Sequence, residues 1–215
     1  HLPYGSKSPE KINKYSEKIV KFLLEKNCKA IVFACNSASS TSFDTITKKY
    51  FEQTTFFNVI DPVIDYIKSS KNIKTVGVIG TEATINSQVY SKKISKTKKN
   101  ILVKPMATPL LASLIEDNKS VFFSNSILKK YLESKLLKGI DSLILGCTHY
   151  PIISQEISSF FKDSIEIISS DKLLSYYLNN TLKKKNLLST NENPIKHQFY
   201  ISDSSKSFQT VSYTH

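Results

Sequence analysis

The sequence predicts an α/β protein built on parallel β-sheet, and two observations predict this class. Short runs of β-branched and other apolar residues alternate with segments that carry apolar residues at helical spacing. No heptad repeat, low-complexity segment or obvious linker interrupts this alternation. Parallel strands are buried on both faces and joined by helical crossovers, which produces such a pattern. The 215 residues suffice for one large domain or two small ones.

The individual elements follow from local signals along the chain. Apolar side chains recur at helical spacing after Pro9, which is favoured in a first turn, and predict a helix over residues 9–27. Short apolar runs bounded by polar residues predict seven strands, over residues 30–34, 56–60, 75–79, 101–104, 142–145, 165–168 and 199–202. Further helices are predicted over residues 38–52, 61–67, 84–95, 109–117, 121–137, 151–161 and 171–184, with a polar loop over 185–196.

Composition is that of an ordinary globular protein, with 40% hydrophobic and 22% charged residues. No apolar run reaches the roughly 18–20 residues that a membrane-spanning helix needs, so no membrane association is expected. The first residues lack the apolar core of a secretion signal, and we therefore expect a cytoplasmic protein. Because the chain starts at His1 in a loop-like segment, we also expect a fragment or a processed chain.

The formal net charge is +12, which raises the question of nucleic-acid binding. All 30 basic residues are Lys, and Arg, which reads phosphate and guanine with a bidentate fork, is absent. The lysines are also spread along the chain in helical surface patterns. A solvated Lys-rich surface is therefore favoured over a nucleic-acid-binding protein. A steep loss of DNA affinity with salt would support the latter.

Three cysteines, Cys28, Cys35 and Cys147, form an odd set without a CxxC pair. This set fits neither a disulfide framework nor a zinc site. No metal-ligand cluster and no lysine motif for pyridoxal phosphate stands out, so neither a metal nor a cofactor is expected. Cys28, which follows a predicted helix, is expected to be inert.

Three predicted strands end in similar corners of small and hydroxyl-bearing residues that open a helix. The corners are Cys35-Asn36-Ser37, Gly80-Thr81 and Gly146-Cys147-Thr148. Ligands of open α/β sheets bind at the carboxyl ends of the strands, where helix N-termini offer free N–H groups to an anion. Ordinary helix capping explains the hydroxyls but not a cysteine at two corners. We expect these two thiols to face one crevice, with pKa values lowered by the helix N-termini.

At these corners the sequence resembles the glutamate racemases of the aspartate/glutamate racemase superfamily. The match spans the chain, and its two cysteine motifs, in this order, are specific together. The matching segments are PYG (3–5), FACNSAS (33–39), VGVIGTEATINSQVY (76–90), LIED (114–117), LGCTHYPII (145–153), SSDKL (169–173) and FYISDSSKSF (199–208).

The resemblance implies two similar flavodoxin-like domains with parallel sheets, related by a pseudo-twofold axis, with the active site at their interface. The first domain would hold residues 1–60 and 170–215, and the second residues 61–169. Each would contribute one cysteine to a cofactor-independent, two-base racemisation of L- and D-glutamate that supplies peptidoglycan synthesis.

The resemblance also implies roles for individual residues. The catalytic residues would be Cys35, Cys147, His149 beside the second thiol, and Glu116, which would orient His149. Residues that would hold the small-molecule substrate, glutamate, are Pro3, Tyr4, Gly5, Asn36, Ser37, Thr81, Thr84 and Thr148.

Two features depart from the family pattern. An initial strand with an Asp-Ser-Gly-x-Gly-Gly loop is absent from the sequence, and Thr108-Pro109 stands where the family often has Cys-Pro. The open alternatives are an aspartate or related racemase, an inactive fragment, and a thiol hydrolase using Cys147 and His149. The sequence does not decide whether the chain forms a homodimer.

Overall fold

The computed structural model describes residues 3–97, 100–116, 121–190 and 197–201. The strands within these ranges are β1 (Ala30–Phe33), β2 (Thr55–Asn58), β3 (Thr75–Gly80), β4 (Leu102–Ala107), β5 (Ser142–Gly146) and β6 (Glu166–Ser169). The helices are α1 (Pro9–Glu25), α2 (Asn36–Thr41), α3 (Phe43–Tyr50), α4 (Asp61–Ser69), α5 (Glu82–Asn86), α6 (Val89–Thr97), α7 (Leu111–Glu116), α8 (Val121–Leu132), α9 (Ser154–Phe160) and α10 (Ser170–Lys184). Two 3₁₀ turns lie at Lys135–Leu137 and Tyr150–Ile153.

The strands form two parallel sheets, which confirms the predicted class. Strands β1 and β2 pair with each other, and the other four follow the order β4-β3-β5-β6. Numbered by their own sequence, these four run 2-1-3-4, as in flavodoxin-like sheets. The sheet grows to one side from β3 to β4 and to the other side from β3 to β5. The boundary between β3 and β5 is therefore the point at which such sheets bind ligands.

Helices cover both faces of the four-stranded sheet because successive strand residues point to opposite sides. Val78 and Ile144 face a core formed with α4 and α6. Ile79 and Leu145 face the opposite core, formed with α7, α8 and α9. Every residue of the two strands except Thr75 is buried, and these strands hold the segments that follow β3 and β5.

The two-stranded sheet has its own core, to which α1, α2 and α3 contribute. Ile12 and Val20 of α1 pack with Ile31 and Phe33 of β1 and with Ile46 of α3. This packing fixes the direction in which the chain leaves β1 and enters α2.

Helix α10 contacts both parts of the molecule. Its Leu173 packs on the core that contains α4. The ring of Tyr177 lies edge-on to Phe57 of β2, with centroids 6.4 Å apart. Further along the chain, the ring of Tyr200 packs against Phe22 of α1 at 4.8 Å.

Several predicted elements differ from the structure at their ends. The helix predicted over residues 38–52 is two helices, separated at Ser42, and the one over 84–95 divides at Gln88, whose φ is 59°. The helix predicted over 121–137 ends at Leu132, and Ser134 then caps a 3₁₀ turn by accepting a hydrogen bond from the Leu136 N–H.

The strand predicted over residues 199–202 is wrong for residues 199–201, which pair with no strand. Instead, the Tyr200 ring packs on the surface of α1. Ser202, Asp117 and residues 191–196 lie outside the described residues. Within the described ranges, no helix has both the length and the apolar character needed to cross a membrane.

Candidate active site

The three predicted corners follow the carboxyl ends of β1, β3 and β5. Cys35 is the N-cap residue of α2, with the extended backbone typical of that position. Thr81 is the N-cap residue of α5, and its Oγ1 accepts a hydrogen bond from the Thr84 N–H at 3.3 Å. Because Gly80 and Gly146 are paired in register, Thr81 and Cys147 follow neighbouring strand ends.

Two glycines allow the segments around the site to approach one another closely. A Cβ on Gly146 would lie 2.7 Å from the carbonyl oxygen of Ile79 on the adjacent strand. A Cβ on Gly5 would lie 2.7 Å from the side chain of Thr81. The Gly5 carbonyl accepts a hydrogen bond from the Ala83 N–H at 3.0 Å, which ties the segment before α1 to the start of α5.

A single cavity of about 80 Å³ collects the predicted site residues except Thr84. Those that line it are Pro3, Tyr4, Gly5, Cys35, Asn36, Ser37, Thr81, Glu116, Cys147, Thr148 and His149. Pockets for drug-sized ligands measure roughly 300–1,000 Å³, so this one suits a small metabolite. Thr84 lies behind the wall, because its buried hydroxyl accepts a hydrogen bond from Thr81 Oγ1 at 3.1 Å.

The cavity has further lining residues that the sequence did not single out. They are Ser6, Glu82, Pro109, Ala112 and Ser113. Ala112 and Ser113 lie on the same face of α7 as Glu116, three or four residues earlier. That helical spacing from a predicted site residue is the signal that could have found them.

A line of three polar groups runs from Glu116 to the thiol of Cys147. Glu116 Oε1 lies 2.7 Å from His149 Nε2, and His149 Nδ1 lies 3.6 Å from Cys147 Sγ. The carboxylate fixes the orientation of the imidazole and directs its other nitrogen at the sulfur. This geometry allows a proton to move between the imidazole and the thiol.

Burial raises the pKa of the Cys147 thiol to about 11. The backbone N–H of His149 opposes this shift, whereas the negative charges of Cys35 and Glu116 reinforce it. The expected lowering of this pKa is therefore wrong. Cys147 lies at a bend and is followed by a turn and a 3₁₀ helix rather than an α-helix, and desolvation outweighs the local N–H group.

Hydrogen bonds beside the cavity connect the Cys35 corner with the segments after β3. The hydroxyls of Ser37 and Thr81 lie 2.8 Å apart. Asn36 Nδ2 donates a hydrogen bond to the Tyr90 hydroxyl at 2.9 Å. Burial, together with the nearby charge of Cys35, also raises the pKa of the Tyr4 phenol in the cavity wall.

The cavity wall carries the carboxylates of Glu82 and Glu116 and, among the described residues, no lysine. A bound carboxylate would therefore contact hydroxyls and backbone N–H groups rather than a fixed cation. In the described part of the chain, no cluster of three or more His, Cys, Asp or Glu side chains could hold a metal ion.

Comparison with known proteins identifies the family to which the chain belongs. The sequence model of the Asp/Glu/hydantoin racemase family matches residues 1–174. The chain belongs to this family of racemases. It is 33% identical to the glutamate racemase of Lactobacillus acidophilus over 216 residues, which cover 100% of this chain and 79% of that protein. It is 38% identical to that of Aquifex pyrophilus over 186 residues, which cover 85% and 70%.

Solved structures of racemases share the fold. The glutamate racemase of Francisella tularensis, crystallised with D-glutamate, aligns with a TM-score of 0.90 at 34% identity, covering 100% of this chain and 79% of that one. The Bacillus anthracis isoform RacE1 aligns with a TM-score of 0.92 at 30% identity, covering 100% and 80%. The cavity described above is therefore built on a backbone that these enzymes share.

Proposed function

We propose that this protein interconverts L-glutamate and D-glutamate without a cofactor, with Cys35 and Cys147 as the two acid/base groups. The observation that carries the proposal is that both sulfurs line one small cavity, and that one of them faces an imidazole held by a carboxylate. The similarity to proteins named glutamate racemase supports glutamate as the substrate.

Racemisation removes the Cα proton from one face of the substrate and returns a proton to the other. Two groups on opposite sides of Cα can do this, one as thiolate and one as thiol. The thiolate takes the proton and becomes a thiol, the negative charge spreads into the substrate carboxylate, and the second thiol donates its proton to Cα. The roles are exchanged after each turnover.

Cys147 is ready to act as the proton donor, because burial keeps its sulfur protonated at neutral pH. When the reaction runs in the opposite direction, Cys147 must instead start as a thiolate. His149 can take the proton of this thiol through Nδ1, and the resulting imidazolium is stabilised by Glu116. The thiolate then lies beside a positive charge.

Substrate is held in the proposal by groups that donate hydrogen bonds to carboxylates. The Thr148 hydroxyl and backbone N–H groups along the cavity wall can donate to the two carboxylates. The hydroxyls of Ser37 and Thr81 can do so by turning away from Thr81 and Thr84, to which they donate in the structure. Tyr4 and Gly5 close the cavity from the segment before α1. Thr84 acts indirectly, through its hydrogen bond with Thr81.

The proposal extends to the arrangement of the chain and to its place in the cell. Residues 1–60 with 170–215 form one domain and residues 61–169 the other, with one cysteine from each. The enzyme works in the cytoplasm, where it supplies D-glutamate for peptidoglycan, as a monomer or as a homodimer.

The decisive experiment follows the Cα proton during turnover by the full-length protein in D2O. Product should acquire deuterium at Cα, because the donating thiol exchanges its proton with solvent. Product formed without deuterium would exclude the two-base reaction. Faster turnover of aspartate than of glutamate would reassign the substrate.

Cysteine variants test the assignment of the two bases. Cys35→Ala and Cys147→Ala should each lower kcat by about 10³-fold or more, because one face of Cα then lacks its acid/base group. Cys28→Ala is the matched control, since Cys28 is a free cysteine outside the cavity and should leave kcat unchanged. Turnover near the wild-type rate in either of the first two variants removes that sulfur from the mechanism.

A further inference from the structure

Tyr90 is a buried residue of α6 that lies beneath both cysteine corners. Its side chain is 3% exposed and belongs to the core between the four-stranded sheet, α4 and α6. It does not line the cavity. Its phenol oxygen nevertheless accepts the hydrogen bond from Asn36 Nδ2, which makes it a buried polar contact between segments far apart in sequence.

The same ring also reaches the second corner. A methyl group on Gly146 would lie 3.5 Å from Cε2 of Tyr90, which is ordinary van der Waals contact. Asn36 directly follows Cys35, and Gly146 directly precedes Cys147. Tyr90 is thus hydrogen-bonded to the residue that follows Cys35, and its ring lies beside the residue that precedes Cys147.

The Tyr90 phenol remains protonated under all ordinary conditions. Burial, with the nearby Cys147 and Asp61, raises the pKa of this phenol far above its usual value, although the Asn36 amide opposes the shift. A neutral hydroxyl can accept from the Asn36 amide without placing a charge in the core. The contact therefore persists over the pH range in which the enzyme would act.

The hydrogen bond to Tyr90 leaves the other atom of the amide unpaired. Asn36 is 2% exposed, and its Oδ1 has no hydrogen-bond partner among the described residues. A buried acceptor without a partner is unfavourable unless a ligand or water supplies a donor. Asn36 lines the cavity, and the only strong donor that a dicarboxylic amino acid carries is its ammonium group.

We propose that Tyr90 is a positioning residue that orients the Asn36 amide so that Oδ1 accepts a hydrogen bond from the substrate ammonium. This inference rests on the proposed function and deepens it. Tyr90 acts through Asn36 and does not itself touch the substrate. Since the amide is held before the substrate arrives, little of the binding free energy is lost in ordering it.

The test is Tyr90→Phe in the full-length protein, which removes one oxygen atom and retains the buried ring. KM for both enantiomers should rise about tenfold, while kcat should stay within about threefold of the wild type. The reason is that the contact with the ammonium is present in both ground state and transition state. The dissociation constant for D-glutamate, measured by calorimetry, should rise by a similar factor.

A double-mutant cycle with Asn36→Ala tests whether Tyr90 acts through Asn36. Asn36→Ala alone should raise KM at least as much, and adding Tyr90→Phe to it should change KM by less than twofold. Tyr50→Phe is the matched control. It removes the hydroxyl of another largely buried tyrosine, which donates a 2.7 Å hydrogen bond to Glu17. Tyr50 does not line the cavity, so KM should be unchanged.

Each other outcome overturns the inference. A purely structural role would lower the melting temperature and the active fraction, and hence the apparent kcat, without changing KM or the dissociation constant. If the increases in KM caused by Asn36→Ala and by Tyr90→Phe multiplied in the double variant, Tyr90 would act independently of Asn36. If the wild type turns glutamate over and Tyr90→Phe does so with unchanged KM, only this inference fails. If the wild type neither binds nor turns over glutamate, both proposals fail.

Discussion

At Cys147, two physical effects compete for the proton of one sulfur. A backbone N–H favours the thiolate, whereas a 6% exposed side chain has little water with which to stabilise a charge. The position after a strand is visible in the sequence, but the depth of burial depends on residues of α7, α8 and α9 packed around it. The position of Cys147 at the end of a strand was therefore predictable from the sequence. The direction in which the pKa of its thiol is shifted was not.

The raised pKa of Cys147 predicts a specific dependence of stability on pH. An unfolded thiol has a pKa of roughly 8.5, so the folded protein holds this proton more tightly. The contribution to stability is complete below that value and is lost as pH rises through about 11. Relative to Cys147→Ala, the wild type should lose about 2 kcal/mol of unfolding free energy between pH 7.5 and pH 10.5.

Urea unfolding at the two pH values measures this difference. Lysine titration affects the wild type and Cys147→Ala equally, so it cancels in the comparison. Cys28→Ala serves as the control for the loss of a thiol elsewhere and should follow the wild-type pH dependence. If the unfolding free energies of the wild type and of Cys147→Ala changed equally with pH, burial would not raise the pKa of the Cys147 thiol.

Other residues of the site differ in how visible they are from sequence. Cys35, Asn36 and His149 stand in motifs after strands, so their convergence follows from the rule for parallel sheets. Ser113 and Tyr90 do not follow a strand end, and although Tyr90 closes the matching segment 76–90, nothing in the sequence assigns it a role at the site. The first becomes a wall residue only through the orientation of α7, and the second acts through a hydrogen bond that spans 54 positions.

At the scale of elements, the strands were easier to predict than the ends of the helices. Strands β3 and β5 are continuous apolar runs, because both faces of a parallel sheet are buried. The break between α2 and α3 at Ser42 has no proline or glycine to mark it. Its hydroxyl-rich sequence is compatible with both one helix and two, and the core beneath α3 decides between them.

The close pairing of β3 and β5 predicts that Gly146 cannot be enlarged. In Gly146→Ala the new Cβ would lie 2.7 Å from a backbone oxygen, which cannot move without displacing β3. We expect a loss of about 3 kcal/mol in unfolding free energy, at the upper end of overpacking effects. The measurement is equilibrium unfolding in urea.

The comparison variant is Gly77→Ala in the same strand pair. The three atoms nearest its Cβ would be the ends of the Leu143, Ile140 and Leu137 side chains, at 2.9–3.1 Å. These atoms can shift, so the loss should be smaller, about 1 kcal/mol. A larger loss in Gly77→Ala than in Gly146→Ala would contradict the assignment of the strain to backbone contact.

At the scale of the whole molecule, positive charge lies on the surface and not in the described wall of the cavity. The chain carries a net charge of +12, yet no described lysine lines the cavity. Surface lysines act over about one Debye length, roughly 8 Å at physiological salt, and can raise the local concentration of an anion. The described cavity wall offers neutral donors instead, so in the proposed reaction a substrate carboxylate would be held by directed hydrogen bonds rather than by a fixed cation.

Polar contacts also connect the two parts of the molecule around the cavity. The hydrogen bonds Ser37–Thr81, Asn36–Tyr90 and Ala83–Gly5 all join the segments before residue 60 to those after β3. Interfaces of this kind permit relative motion of their two sides. A ligand that bonds to both sides should therefore stabilise the molecule as one unit.

If substrate binds to both sides of the cavity, it should raise the melting temperature measured by calorimetry. D-glutamate at about 100 times its dissociation constant adds roughly 2.7 kcal/mol, which corresponds to an increase of about 5–10 °C in Tm for a chain of this size. The matched control ligand is glutarate, which has both carboxylates but no ammonium for Asn36 and should give a smaller shift. The full-length protein should show one transition that moves as a whole. Two transitions, of which D-glutamate shifts only one, would mean that the ligand binds a single part and that the cavity does not join them.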